Sequence, residues 1–188
     1  ITMRLNTGEG SHLDFMYTLK PDDYMLRFSI KGTGLNGILS PGTTALDLLW
    51  QQKITQQEKG RKFEDRYATV YYKFMADDVE YLSETKNDSK QLSNRLKWIA
   101  YKDMYFSSVL IAANEGFEST AIDSRMLPED GSFLKEYKTT TSVPFDLKGN
   151  EATDMRFYFG PNQFSLLKSY DEDVEKADQL DLEKIVPL

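Results

Sequence analysis

The residue types that could do chemistry are few, and their spacing is poor for it. The chain has one histidine, His12, two positions from Asp14 on a predicted strand, and no cysteine. Without a second histidine there is no imidazole pair for a metal site or an acid–base couple. Without cysteine there is no thiol nucleophile, no Cys-ligated zinc and no disulfide framework. A serine nucleophile would need His12 as its base, and no G-x-S-x-G elbow is present. No HExxH spacing occurs either. Gly32-Thr33-Gly34 resembles a fragment of a phosphate loop, but no GK[ST] follows it and no helix is predicted after it. It reads as the exit of a hairpin.

Carboxylates are plentiful: Asp22 with Asp23, Asp77 with Asp78, Glu129 with Asp130. A glycosidase needs two carboxyl groups facing each other across a substrate. Sequence neighbours on a strand point to opposite faces, and these pairs fall at turns, where Asp caps backbone amides. No EF-hand loop is present. The composition therefore points to no cofactor, no metal and no enzyme. The net charge is −7, and the longest basic clusters are Lys59 to Lys62 and Arg95 to Lys97. That balance argues against nucleic acid as a partner, since such binders carry a basic patch.

Period-two alternation dominates the elements that would position any site. Leu13, Phe15, Tyr17 and Leu19 share one face, and after a turn at Pro21-Asp22-Asp23 so do Tyr24, Leu26, Phe28 and Ile30. The pair predicts an antiparallel hairpin with one wet face. Residues 32–42 predict a loop, Ala45 to Ile54 a strand carrying Trp50, and Gln56 to Arg66 a solvated loop with one helical turn. Further strands are predicted over Thr69 to Met75, Val79 to Ser83, Leu96 to Tyr101, Tyr105 to Ala112, Phe117 to Ile122, Phe133 to Phe145 and Thr153 to Phe159. Lys86 to Gln91 reads as a polar turn. About ten short strands without a repeat suggest a sandwich, and 188 residues suffice for a substantial core.

The pattern changes at Gly160. Pro161 suits a first helical turn, and Phe164, Leu167 and Tyr170 fit a short amphipathic helix. From Asp171 to Glu183 there are seven acids and one base, Lys176, a run expected to stay solvated as a linker. It ends on the apolar Ile185-Val186-Pro187-Leu188. The longest apolar run, Val109 to Ala113, is far below the roughly 20 residues a membrane helix needs. The chain opens on Ile1 with no visible signal peptide, and we read it as a piece of a longer protein.

Two segments are more specific. Trp98-Ile99-Ala100-Tyr101-Lys102-Asp103-Met104-Tyr105-Phe106-Ser107-Ser108 and Arg156-Phe157-Tyr158-Phe159-Gly160-Pro161 resemble, in order and separation, the C-terminal half of the large periplasmic domain of YidC-family insertases. Leu182 to Leu188 looks like that family's approach to its membrane region. The resemblance covers Leu96 to Leu188, and residues 1–95 match in general character. It implies an all-β fold, a twisted antiparallel β-sandwich of the galactose-mutarotase-like type, over residues 1–160, with a C-terminal helix and acidic linker over 161–188. It implies an accessory domain on the periplasmic side of the bacterial inner membrane, assisting insertion by docking with the Sec translocon or with nascent membrane proteins through its parent. It places the membrane-proximal residues at Phe164, Leu167, Ile185, Val186, Pro187 and Leu188, and carries over no catalytic residue. The competing readings are a mutarotase-like enzyme, for which one histidine is too few, and a carbohydrate-binding β-module.

Overall fold

The computed structural model describes residues 1–113 and 115–186. It is a sandwich of two antiparallel sheets. Its strands are β1 (Thr2–Gly8), β2 (Ser11–Thr18), β3 (Met25–Thr33), β4 (Ala45–Thr55), β5 (Thr69–Phe74), β6 (Val79–Tyr81), β7 (Asp88–Leu92), β8 (Leu96–Lys102), β9 (Phe106–Ala112), β10 (Glu118–Met126), β11 (Phe133–Pro144) and β12 (Thr153–Pro161). The large sheet runs β1-β2-β3-β12-β9-β8-β5-β6 and the small one β4-β11-β10-β7. Two helices, α1 (Arg61–Glu64) and α2 (Phe164–Ser169), are short. The expected all-β sandwich with a C-terminal helix is what the chain forms.

Alternation places the inner face of the large sheet against the small one. Phe28, Val70, Tyr72, Ile99, Tyr101, Leu110 and Met155 meet Ile54, Ile122, Tyr137 and Val143 there. Trp50 of β4 stacks on Tyr101 of β8, with ring centroids 3.8 Å apart. The Tyr101 hydroxyl bonds Thr139 Oγ1 at 2.8 Å and the Trp50 carbonyl at 3.0 Å. A large aromatic body thus fills the core while its polar tip is satisfied.

Three expectations need correction. Residues 88–92 are not a turn but β7, the edge of the small sheet. An edge strand exposed on one face and only half-buried on the other tolerates Asp-Ser-Lys-Gln, so the apolar alternation that marks a strand is missing. The segment 56–66 holds the expected helical turn, α1, and most of its side chains are exposed, but it is anchored to the core. Glu64 is fully buried, and its carboxylate accepts the Gln57 and Glu58 amides. Lys135, inward-facing beside a bulge in β11, donates to the carbonyls of Asp65 (2.8 Å), Ala68 (2.5 Å) and Glu84 (2.6 Å). Finally, Pro161 does not open the helix. It closes β12 opposite Phe106, and α2 starts at Phe164.

The outer face of the large sheet is the second apolar surface. Met25, Tyr71, Trp98, Ala100, Val109, Ile111 and Tyr158 form it, and all are buried. Here the register matters. Between β5 and β8 the pairing jumps from Lys73↔Trp98 to Phe74↔Leu96, a bulge at Lys97. Leu96 therefore belongs to the inner core and does not share a face with Trp98.

Candidate functional site

The outer face is covered by the chain's own C-terminal segment. After β12 the chain turns through α2, crosses the acidic run, and ends in a 3-10 turn over Leu182–Ile185. Leu167, Leu180, Leu182 and Ile185 are buried on the sheet, and Tyr170 and Val186 pack at the margin. Burying four Leu or Ile side chains at about 1.5–3 kcal/mol each is a substantial driving force for docking.

Polar contacts set the register of this packing. Trp98 Nε1 donates to the Leu180 carbonyl at 2.7 Å. Lys97 Nζ donates to the carbonyls of Ala177 (2.8 Å) and Gln179 (3.1 Å). The bulge at Lys97 turns two consecutive side chains, Lys97 and Trp98, toward the tail. Lys73 pairs with Asp181 at 2.7 Å. Burial works to raise the Asp181 pKa, but Lys73 and Lys184 hold it below its ordinary value. Burial and the nearby Lys73 lower that of Lys97. Asp171 folds the tail on itself, its two oxygens accepting the Leu180 and Asp181 amides at 2.6 Å each. The Tyr170 hydroxyl reaches Asp23 Oδ1 at 3.0 Å, tying the end of α2 to the β2–β3 turn.

The run 171–183 is thus not the solvated linker its charge suggested. Glu172, Asp173, Glu175 and Asp178 are exposed, but Asp171 and Asp181 are half-buried and bonded. The apolar residues that follow are used on the domain itself: Ile185 is buried and Val186 half-buried. Of the two residues expected to pin the helix, Leu167 does so. Phe164 is exposed at 39% and does not. Pro187 and Leu188 lie outside the described residues.

The Gly160-Pro161 segment works differently from a strand-to-helix turn. A Cβ at Gly160 would lie 2.6 Å from both Cζ and Oη of Tyr158. The Tyr158 ring lies across Gly160, and its hydroxyl donates to the Pro161 carbonyl at 2.6 Å. Glycine is needed here for close approach, not for a left-handed backbone.

The residues weighed for catalysis are not brought together. His12 lies 3.6 Å from Asp14, which is itself engaged by Arg4 at 2.7 Å. Gly32, Gly34 and Gly37 stand at dinucleotide-loop spacing, but they end β3 and no helix follows, so no phosphate cradle forms. Among the described residues no cluster of three His, Cys, Asp or Glu side chains could hold a metal. No helix among them is long and apolar enough to cross a membrane.

Comparison with known proteins decides the family. The model of the YidC periplasmic domain matches residues 1–186. The chain belongs to the YidC periplasmic domain family. The match takes in the N-terminal half, where the sequence segments were less telling. The chain is 70% identical over its whole length to a membrane protein insertase YidC of Parabacteroides distasonis, covering 29% of that protein. It is 50% identical to the insertase of Azobacteroides pseudotrichonymphae, over 99% of this chain and 30% of that one. It is 44% identical to that of Bacteroides fragilis, over 96% of this chain and 29% of the relative. The chain thus spans about 30% of the length of these relatives.

The partners of Trp98 are scattered through the sequence. Lys73, Lys97, Asp171, Leu180 and Leu182 gave one local signal: apolar residues at 180, 182 and 185 interrupt an acidic run that a plain linker would not contain.

Proposed function

We propose that this domain is a non-catalytic periplasmic module of a YidC-type insertase, and that its docked tail sets how it is held relative to the parent's membrane region. One observation carries the reading. Residues 167–186 form a layer on the outer face of the large sheet, locked by Trp98, Lys97 and Lys73, so the chain leaves the sandwich in a fixed direction. A module held this way can present a constant surface to the Sec translocon or to a nascent membrane protein while the parent inserts it. The relatives' name, membrane protein insertase, supports that setting. Phe164, Ile185 and Val186, with Pro187 and Leu188, are the membrane-proximal residues in this reading.

The test uses the full-length parent in cells depleted of their own insertase. Leu167→Asp combined with Leu182→Asp undocks the tail and is expected to slow growth and the insertion of a reporter membrane protein. Lys176→Gln, on an exposed side chain of the tail, is expected to behave as wild type. Photo-crosslinkers on exposed sandwich positions should report Sec subunits or nascent chains, and lose them in the undocked variant. Wild-type growth and unchanged crosslinks in the undocked variant would refute the proposal. Turnover of common aldoses above a heat-inactivated control would refute its non-catalytic part.

A further inference from the structure

Beside the docked tail, a cleft of about 540 Å³ opens on the outer face of the large sheet, where β2, β3 and β12 are left uncovered. Arg27, exposed, and Arg156, half-buried, line it side by side, directly opposite each other on β3 and β12. Like charges in that position destabilise a sheet. Neither guanidinium has a carboxylate within 4.0 Å or a side-chain hydrogen bond among the described residues, unlike Arg4, Arg61, Arg95 and Arg125. Burial and the facing Arg27 lower the Arg156 pKa, with Asp171 opposing them, so the fold compensates the repulsion only in part. Lys97 lines the same cleft and spends two of its three donors on the tail.

We infer that the Arg27–Arg156 pair is an anion site for a phosphate ester, with Lys97 as a third donor. Two adjacent guanidiniums offer two N–H forks to one tetrahedral oxyanion. Their two charges fit the near-dianion of a phosphate monoester, or a diester together with a second acceptor, better than a single carboxylate. The cleft also selects what the phosphate carries. Asp154, accepting a bond from Ser29 Oγ at 2.5 Å and two residues from Arg156 on the same face of β12, and Asp178 of the tail also line the cleft. Carboxylates there repel a second anion and favour an ammonium or hydroxyl on the same ligand. A small amino-alcohol phosphate matches both the guanidiniums and the neighbouring carboxylates, whether free or as the headgroup of a lipid.

The experiment compares the intact chain with Arg27→Gln/Arg156→Gln and with a charge-matched control, Arg66→Gln/Arg125→Gln. Phosphoethanolamine is expected to raise the melting midpoint of the parent and the control by about 2–6 °C at saturation, against chloride at equal ionic strength. It should leave the Arg27/Arg156 variant unmoved. Without ligand, that variant should melt at or above the parent, because it loses a repulsion; this is opposite to the outcome for a structural pair. Asp154→Asn should weaken phosphoethanolamine but not inorganic phosphate. Co-sedimentation with phosphatidylethanolamine vesicles, lost in the Arg27/Arg156 variant, identifies the headgroup as the source; binding of the soluble ester alone identifies a free ester. The inference is overturned if neither probe binds, or if the variant binds both as well as the parent.

Discussion

Trp98 joins the sandwich to its tail through one indole. It is fully buried and donates to the Leu180 carbonyl, so its ring and its N–H can be tested apart. Trp98→Ala should cost about 3–5 kcal/mol, as large-to-small core changes do. Trp98→Phe keeps most of the body and leaves the Leu180 carbonyl without its donor, a loss of about 1–3 kcal/mol. Urea denaturation followed by circular dichroism separates the two, and equal stabilities for Phe and Trp would show that the hydrogen bond adds nothing. Gly160 makes a second residue-scale case. An alanine there must push the Tyr158 ring off the Pro161 carbonyl, and overpacking of that kind costs about 1–3 kcal/mol. A melting temperature for Gly160→Ala equal to the parent's would show that the ring moves freely.

At the scale of elements, the tail is an added layer and not a continuation of either sheet. Among the described residues it pairs with no strand, and it is held by side chains and by its own turns. It should therefore come away without unfolding the sandwich. Leu182→Asp with Ile185→Asp places two charges where both side chains are fully buried, and the tail should detach. In a Trp50→Phe background, Trp98 emission should shift to the red while far-ultraviolet circular dichroism keeps its β signature. Amide exchange should become fast over 171–186 and stay slow in β8 and β9. Fast exchange across the whole chain would show instead that tail and sandwich fold as one unit.

For the whole molecule, the informative groups are the lysines the sandwich encloses. Burial brings Lys102 and Lys135 down to about 8. Between that value and the unfolded value near 10.4, the unfolded chain holds more protons than the native one, so stability should rise with pH across this window. Below about pH 8 both states are protonated and these lysines give no pH dependence. Buried tyrosines act in the opposite sense at higher pH. Burial raises Tyr71 to about 12 and pushes Tyr101, Tyr137 and Tyr158 higher still. Above about pH 10 the unfolded chain ionises its tyrosines first, and stability should fall. Urea midpoints between pH 7 and 11 should thus show a maximum near pH 10, and Lys135→Met should flatten the rising limb. A steady decline from pH 7 would contradict the burial of these amines.

The sandwich was legible in the sequence because a strand half-buried on one face writes its burial as alternation. This held for the hairpin at Leu13–Ile30 and for β11 and β12, while β5, β8 and β9, buried on both faces over most of their length, read as near-continuous apolar runs. It failed at β7, whose edge position leaves no apolar face to read, and at Lys97, where a bulge breaks the alternation. The family was legible from aromatic segments around Trp98 and Tyr158, whose spacing is specific even when the role of each ring is not. The tail was misread because charge is a local signal and burial is not. An acidic run reads as solvated until a neighbouring sheet offers Trp98, Lys97 and Lys73 to its carbonyls and carboxylates. The pairing of Arg27 with Arg156 likewise depends on a register between residues more than a hundred positions apart. That register is set by which strands meet, and only the packed structure decides it.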